Sequence, residues 1–296
     1  MLSRLVFVSL YLAAGLSHAD GYPIRFHRPT KVGNRQHHTI KVNEENRMMT
    51  MVGKNPVQTE EEKYALSLEA DVEVLELVNE KESKIKITVT RIECMRNAQP
   101  HPVIPVKSTF IAERKADETF FSSLDGKPLS EEAQKVCRMA FSISDGESSE
   151  DKAFGTNERK QVGDRWPVNA ASATAELRRV GLRVDPVDVK GTVKLDGVVQ
   201  DHGTECLRIR VEMDIRNLKN LPIPDFIKPT KTAFSCNVTA DLPTDLSKDV
   251  TRSTEEFSFD FLAYGKVPSE AGEQEISMVG RMYRLAEASY IPLGRP

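Results

Sequence analysis

The sequence predicts an α+β fold dominated by one large, mainly antiparallel, curved β-sheet of about ten strands. Two helices should pack on one face of it, in the manner of a half-barrel. Three observations predict this. Long segments alternate apolar and polar side chains with a period of two, which marks strands with one buried and one wet face. Asp-Gly pairs and charged turns separate those segments. Only two stretches show helical spacing instead.

At the N-terminus, Arg4 is followed by the apolar run Leu5 to Leu16 and then by Ser17-His18-Ala19, the three regions of a secretory signal peptide. Cleavage is expected between Ala19 and Asp20, giving a secreted or periplasmic protein. The run is too short to cross a bilayer, and no later stretch is long and apolar enough, so no integral membrane segment is expected after cleavage. Removing residues 1–19 leaves 277 of 296 residues, with 40 basic side chains (41 less Arg4) against 44 acidic ones. That balance gives no long-range attraction to nucleic acid. The mature chain divides into an N-terminal β-rich half (20–142), a polar connection (143–159) and a C-terminal β-rich half (160–296).

In the first half, Tyr64, Leu66, Leu68, Ala70, Val72 and Val74 alternate with polar or small residues. A charged turn at 79–83 leads to Ile85, Ile87 and Val89, so the pair reads as a hairpin. Val106 to Ala112 and Thr119 to Leu124 continue the sheet to the turn Asp125-Gly126. Ser130 caps a helix that has Glu131 and Glu132 at its start and Leu129, Ala133, Val136, Cys137 and Ala140 on one face. In the second half, Asn169 caps a helix with Ala173, Leu177 and Val180 inward, stopped by Gly181. Strands follow at 187–195, ending at Asp196-Gly197, then at 207–213, 234–240 and 257–263. Ile276 to Leu285 closes the sheet.

The chemistry-bearing residues are few. The histidines His27, His37 and His38 lack a ligand spacing, and His37 and His38, adjacent in a strand, point to opposite faces. Asp241, Asp245 and Asp249 lack the calcium-loop pattern and read as solvated loop residues. The S-x-x-K match at Ser149 to Lys152 sits in the polar connection without its companion motifs. No catalytic residue, metal site or cofactor is expected, and the chain reads as no enzyme. Of the four cysteines, Cys206 and Cys236 point to opposite faces by parity, which favours Cys94 with Cys137 if a bridge forms.

One pattern repeats. Val-Gly-Asn-Arg at 32–35 returns as Val-Gly-Asp-Arg at 162–165, just before the single Trp166. Gly beside Asn or Asp allows positive φ, so each copy reads as a tight turn feeding a strand. Trp166 then packs as an anchor in the core, with ligand stacking as the rival role. Arg165 is expected to pair with a buried carboxylate.

With Y-P-I-R-F-H-R-P-T-K-V-G-N-R at 22–35, Q-V-G-D-R-W at 161–166 and G-T-V-K-L-D-G-V-V-Q-D-H-G-T-E-C at 191–206, the chain resembles a family of secreted bacterial proteins classed as a domain of unknown function. The likeness spans most of the mature chain and brings no catalytic residues. The architecture is also similar to the half-barrel of periplasmic lipoprotein carriers.

The stretch Asp214 to Thr230 holds Leu218, Leu221, Ile223, Phe226 and Ile227 among three prolines, too irregular for a helix or a central strand. It would pack as a flap or line the mouth of a pocket. The candidate ligand-binding residues are therefore Leu221, Ile223, Phe226, Ile227 and Trp166. The expected function is an exported, non-catalytic binding protein whose partner is an apolar small molecule or lipid. The alternative is an envelope protein that presents a sheet surface to another envelope protein. A cavity lined by the even residues of 64–74 and open near Phe226 would mark the first, and a solid core with an exposed face the second.

Overall fold

The computed structural model describes residues 21–115, 118–143, 150–179, 182–221, 223–224, 226–269 and 272–294. The expected signal peptide, Ser149 and the helix stop at Gly181 lie outside the described residues.

The alternating segments become strands β1 (Tyr22–Ile24), β2 (Arg35–Val52), β3 (Asn55–Val78), β4 (Lys81–Arg96), β5 (Gln99–Pro100), β6 (Thr109–Lys115) and β7 (Glu118–Ser123), followed by helix α1 (Glu131–Ala140). Next come α2 (Glu150–Ala153), β8 (Thr156–Lys160), β9 (Arg165–Pro167) and α3 (Ala170–Arg179). The chain ends in β10 (Val189–Asp201), β11 (Thr204–Arg216), β12 (Ile227–Pro243), β13 (Arg252–Ser269) and β14 (Gly272–Pro292). The fold is mostly β, with 65% of residues in strands and few helices.

Twelve strands, rather than about ten, form one unclosed antiparallel sheet. Its order is β7-β6-β4-β3-β2-β14-β13-β12-β11-β10-β9, with β5 beside β4. The strands missed in the sequence have a physical reason to be missed. The pairs β4–β5 and β9–β10 involve strands of two and three residues, and β2 carries polar His38, Glu44 and Asn46 on the same face as Ile40 and Val42. Its period is therefore hidden.

Register carries one face across the whole sheet. Leu66 of β3 lies opposite Val42 and Cys94, Val42 opposite Ala286, Ala286 opposite Glu255, Glu255 opposite Val238, Val238 opposite Val211 and Val211 opposite Val193. Because side chains on one face share this register, both hydrophobic cores belong to the same side. One core packs β2, β3, β4, β6 and β7 against Ala133, Val136, Cys137 and Met139 of α1. The other packs β9 to β12 against Ala173, Trp166 and the N-terminal strand. The opposite face is charged, with cross-strand pairs such as Lys63–Glu45, Lys86–Glu73 and Arg281–Asp260. It is the wet face.

Helix starts follow the expected caps. Ser130 Oγ accepts from Ala133 N at 3.3 Å, and Asn169 Oδ1 accepts from Ser172 N at 3.2 Å. The repeated turns also share one geometry. Gly33, at φ 85, donates to Val74 O (2.8 Å), and Val74 N donates to Asn34 O (2.9 Å). Gly163, at φ 96, donates to Leu195 O (2.8 Å), and Leu195 N donates to Asp164 O (3.1 Å). Each copy thus clips the start of one strand to the residue at the matching level of its neighbour.

Several sequence expectations need correction. Asp196-Gly197 does not end its strand: the pairing shifts there as a bulge, Asp196 takes Lys194 (2.7 Å) and Arg210 (2.8 Å), and β10 runs on to a turn at His202-Gly203. The polar connection holds α2 and β8, and β8 pairs with β1, so the N-terminal strand reaches over the second half. Asp241 is a buried strand residue gripped by Arg208 through two 2.8 Å bonds, not a solvated loop residue. Arg165 is exposed and has no carboxylate partner among the described residues. All four cysteines are buried free thiols, so no Cys94–Cys137 bridge is present. Cys206 faces Pro243 while Cys236 lies seven residues back along β12, roughly 23 Å at strand spacing. That excludes the other adjacent-strand pairing.

Candidate functional site

A half-buried strip of the apolar face, the trough, lies along β13 and its neighbours between the core under α1 and the second core. Successive residues of β13 on this face are Ser253, Glu255, Phe257, Phe259, Phe261 and Ala263, since alternate positions of a strand share a side. Beside them β14 places Ala286, Arg284, Met282, Gly280 and Met278, and β12 places Val238, Cys236, Phe234 and Thr232. Phe234, Phe257, Phe259, Phe261 and Met282 are half-buried, and Met48 of β2 is 36% exposed.

The aromatic rings are ordered against one another. Phe234 stacks on Phe257 with centroids 5.9 Å apart, and Phe259 meets Phe261 at 5.8 Å. Such offset contacts add roughly 0.5–1.5 kcal/mol each to simple burial. Gly280 makes room for this packing, because a Cβ there would run into the Phe261 ring. At one end of the aromatic run, Ile227 and Ile223 join Ala263, Met278, Phe261 and Ile276 in a small cluster. At the other end the trough turns polar. Arg284 sits with its guanidinium 5.7 Å over the Phe257 ring, donates to Met139 O of α1 at 2.9 Å and lies 3.5 Å from Glu255.

The sequence-derived candidates divide accordingly. Leu221 is buried in the second core. Ile227 is buried and Ile223 half-buried at the aromatic end of the trough. Phe226 is 51% exposed. Trp166 is buried in the second core with its Nε1 donating to Phe154 O at 2.7 Å, the anchor role rather than an open stacking platform. The five do not converge on one cavity. The even residues of β3 from Tyr64 to Val74 are buried at 5% exposure or less, and those from Tyr64 to Val72 belong to the core packed with α1, so that half has a solid core. The residues missed were Phe234, Phe257, Phe259, Phe261, Met278 and Met282. The run Phe-x-Phe-x-Phe was visible as a strand, but only the cross-strand register puts it on one face with Phe234 and Met282.

The perturbed titratable groups lie elsewhere. Burial, with the Asp249 carboxylate adding to it, pushes Glu82 up to about 7. Burial also raises Asp249, against its bonds from Val250 N and Gln36. Burial and neighbouring His37 push His38 down to about 4, and its ring packs edge-on to Tyr290 at 4.8 Å. Asp249 lines an open cleft of about 530 Å³ together with Gln36, Thr251 and Tyr290. A second polar cleft, of about 490 Å³, lies around Arg25, Asp151 and Asn169. Among the described residues no group of three or more His, Cys, Asp or Glu side chains could hold a metal.

Fold and site together define a β-rich protein built on one open antiparallel sheet, with a half-buried aromatic strip along β13. No helix among the described residues is long and apolar enough to cross a membrane. No family model and no curated protein matches the chain.

Proposed function

We propose that the chain is an exported, non-catalytic binding protein that holds an apolar or lipid-like ligand against the inner side of a curved, half-barrel-like sheet. The single observation that carries this reading is the half-buried run of Phe257, Phe259 and Phe261 with Phe234, Met282 and Met48 beside it on one face. A monomeric protein seldom leaves a contiguous aromatic and methionine surface half-open without a use for it. Methionine and phenylalanine in one lining also suit a flexible ligand, because thioethers repack cheaply. The ligand site is an open trough closed at one end by Ile223 and Ile227. The signal-peptide pattern at the N-terminus supports export.

The solid core under α1 favours a second reading, an envelope protein whose sheet binds a protein partner. Native mass spectrometry of protein purified from its own envelope fraction separates the two. The first reading expects a co-purifying apolar mass that is lost in a Phe259→Asp variant. A bare chain mass, with a partner protein retained instead, would support the second.

A further inference from the structure

The trough is amphipathic along its length, and its polar end carries one opposed and loosely joined pair of charges. Glu255 stands on the apolar floor between Ala286 and Val238, each opposite it across a strand boundary. Its side chain is 39% exposed, and its one ion-pair partner among the described residues is Arg284 at 3.5 Å, longer than a good charge-assisted hydrogen bond. The carboxylate is felt by the floor: the Cys236 thiol is pushed up to about 12 by burial and by Glu255. Arg284 donates from one Nη to Met139 O, and its other Nη is the one that faces Glu255 at 3.5 Å. The remaining nearby carboxylate, Glu44, lies opposite Arg284, and its Oε1 is taken by Asn46 at 2.8 Å.

A fixed cation and a poorly satisfied carboxylate, side by side at the head of an aromatic run, are complementary to a head group that itself carries both charges. A purely anionic head would gain Arg284 but meet Glu255, and a purely cationic head would meet the reverse. Neutral heads would leave the pair as it is. We propose that the ligand is a single-chain amphiphile with a zwitterionic head, an amine beside a phosphate, whose phosphate takes Arg284, whose amine takes Glu255 and whose chain runs along Phe257, Phe259 and Phe261. This rests on the trough being the binding site.

The test is calorimetric titration of the full mature chain with three single-chain probes below their micelle concentrations: lysophosphatidylethanolamine, oleate and monoolein. The wild type should bind the zwitterion roughly tenfold more tightly than either of the others, the scale of one net charge-assisted contact. Glu255→Gln should weaken the zwitterion about tenfold and strengthen oleate. Arg284→Gln should weaken both charged probes and leave monoolein unchanged, and Arg284→Lys, which keeps the charge if the loss of the α1 contact perturbs folding, should recover part of the loss. Equal binding of all three probes by the wild type, unmoved by the substitutions, overturns the head-group assignment while leaving the trough as a binder. Failure of all three to bind the folded wild type removes the binding reading itself.

Discussion

Replacing Glu82 with Gln should stabilise the protein in alkali and do nothing in acid. Glu82, on β4, is half-buried near Asp249 in the connection between β12 and β13, and its carboxyl is raised from 4.5 to about 7 by burial first and by that second carboxylate. Asp249 is itself fixed in place by Gln36 Nε2 at 2.8 Å. A group whose folded pKa exceeds its unfolded value contributes fully below the unfolded pKa and loses that contribution as pH rises through the folded one. Here the loss begins near pH 4.5 and is complete a little above pH 7. The full displacement is worth about 3 kcal/mol, which partial solvent exposure reduces to about 2 kcal/mol. A neutral amide of the same shape avoids it. Thermal melts of wild type and Glu82→Gln, followed by circular dichroism from pH 4 to pH 9, should therefore coincide at pH 4 and diverge by about 5 °C above pH 7.5. The comparison at each pH cancels the titrating groups that do not interact with Glu82. A constant gap at all pH values, or a variant less stable at pH 8, would refute the argument that burial beside Asp249 strains this carboxylate.

His38 acts at the acid end with the opposite sign: pushed down to about 4, it costs stability progressively below pH 6.5 as the unfolded state takes up a proton first, so His38→Gln should flatten the acid limb of a denaturation profile between pH 6.5 and pH 4. Gly280→Val should destabilise by roughly 1–3 kcal/mol in urea unfolding, because the new Cβ displaces the Phe261 ring, and should weaken binding of an apolar fluorescent probe; unchanged stability would show that the ring is free to swing away. Thiol titration with an aromatic disulfide should find four reactive groups per chain in denaturant and almost none in the native state, since all four are buried and burial raises Cys137 and Cys236 to about 12. Two groups in denaturant would instead indicate a bridge.

Much of the sheet was legible in the sequence because period-two alternation survives wherever one face is dry. Tyr64 to Val74 and Leu207 to Met213 read directly as strands, and Ser130 and Asn169 announced their helices through cap chemistry. What was not legible depends on partners distant in the chain. β2 lost its pattern because its inner face passes from Ile40 and Val42 under α1 to Glu44 and Asn46 at the open trough. Asp241 looked solvated because nothing local shows that Arg208 lies opposite it. The stretch 214–230 drew attention by composition as an irregular loop, yet its two ends are strand, β11 to Arg216 and β12 from Ile227, and Leu218 and Leu221 between them are ordinary core residues.

The repeated turn explains why the trough lies where it does. Each copy clips the first strand of its half to the second through the same pair of bonds, at Val74 and at Leu195. From those clips the first half builds outward from β2 to the β7 edge, whereas the second builds inward from the β9 edge to β14. The last strand of the second half therefore meets the first strand of the other, and the pairing from Ile276 with Val52 to Pro292 with Gln36 joins residues more than two hundred positions apart. Pairings of such separation are slow to form because loop closure must precede any gain. Helix α1 packs mainly on the strands of the first half and reaches across the seam to Ala286 and Arg284 of β14, while Ala173 of α3 packs in the second core. The seam strands β2, β14 and β13 lie between the two cores, and there Met48, Met282 and the three phenylalanines of β13 stay partly exposed on one face.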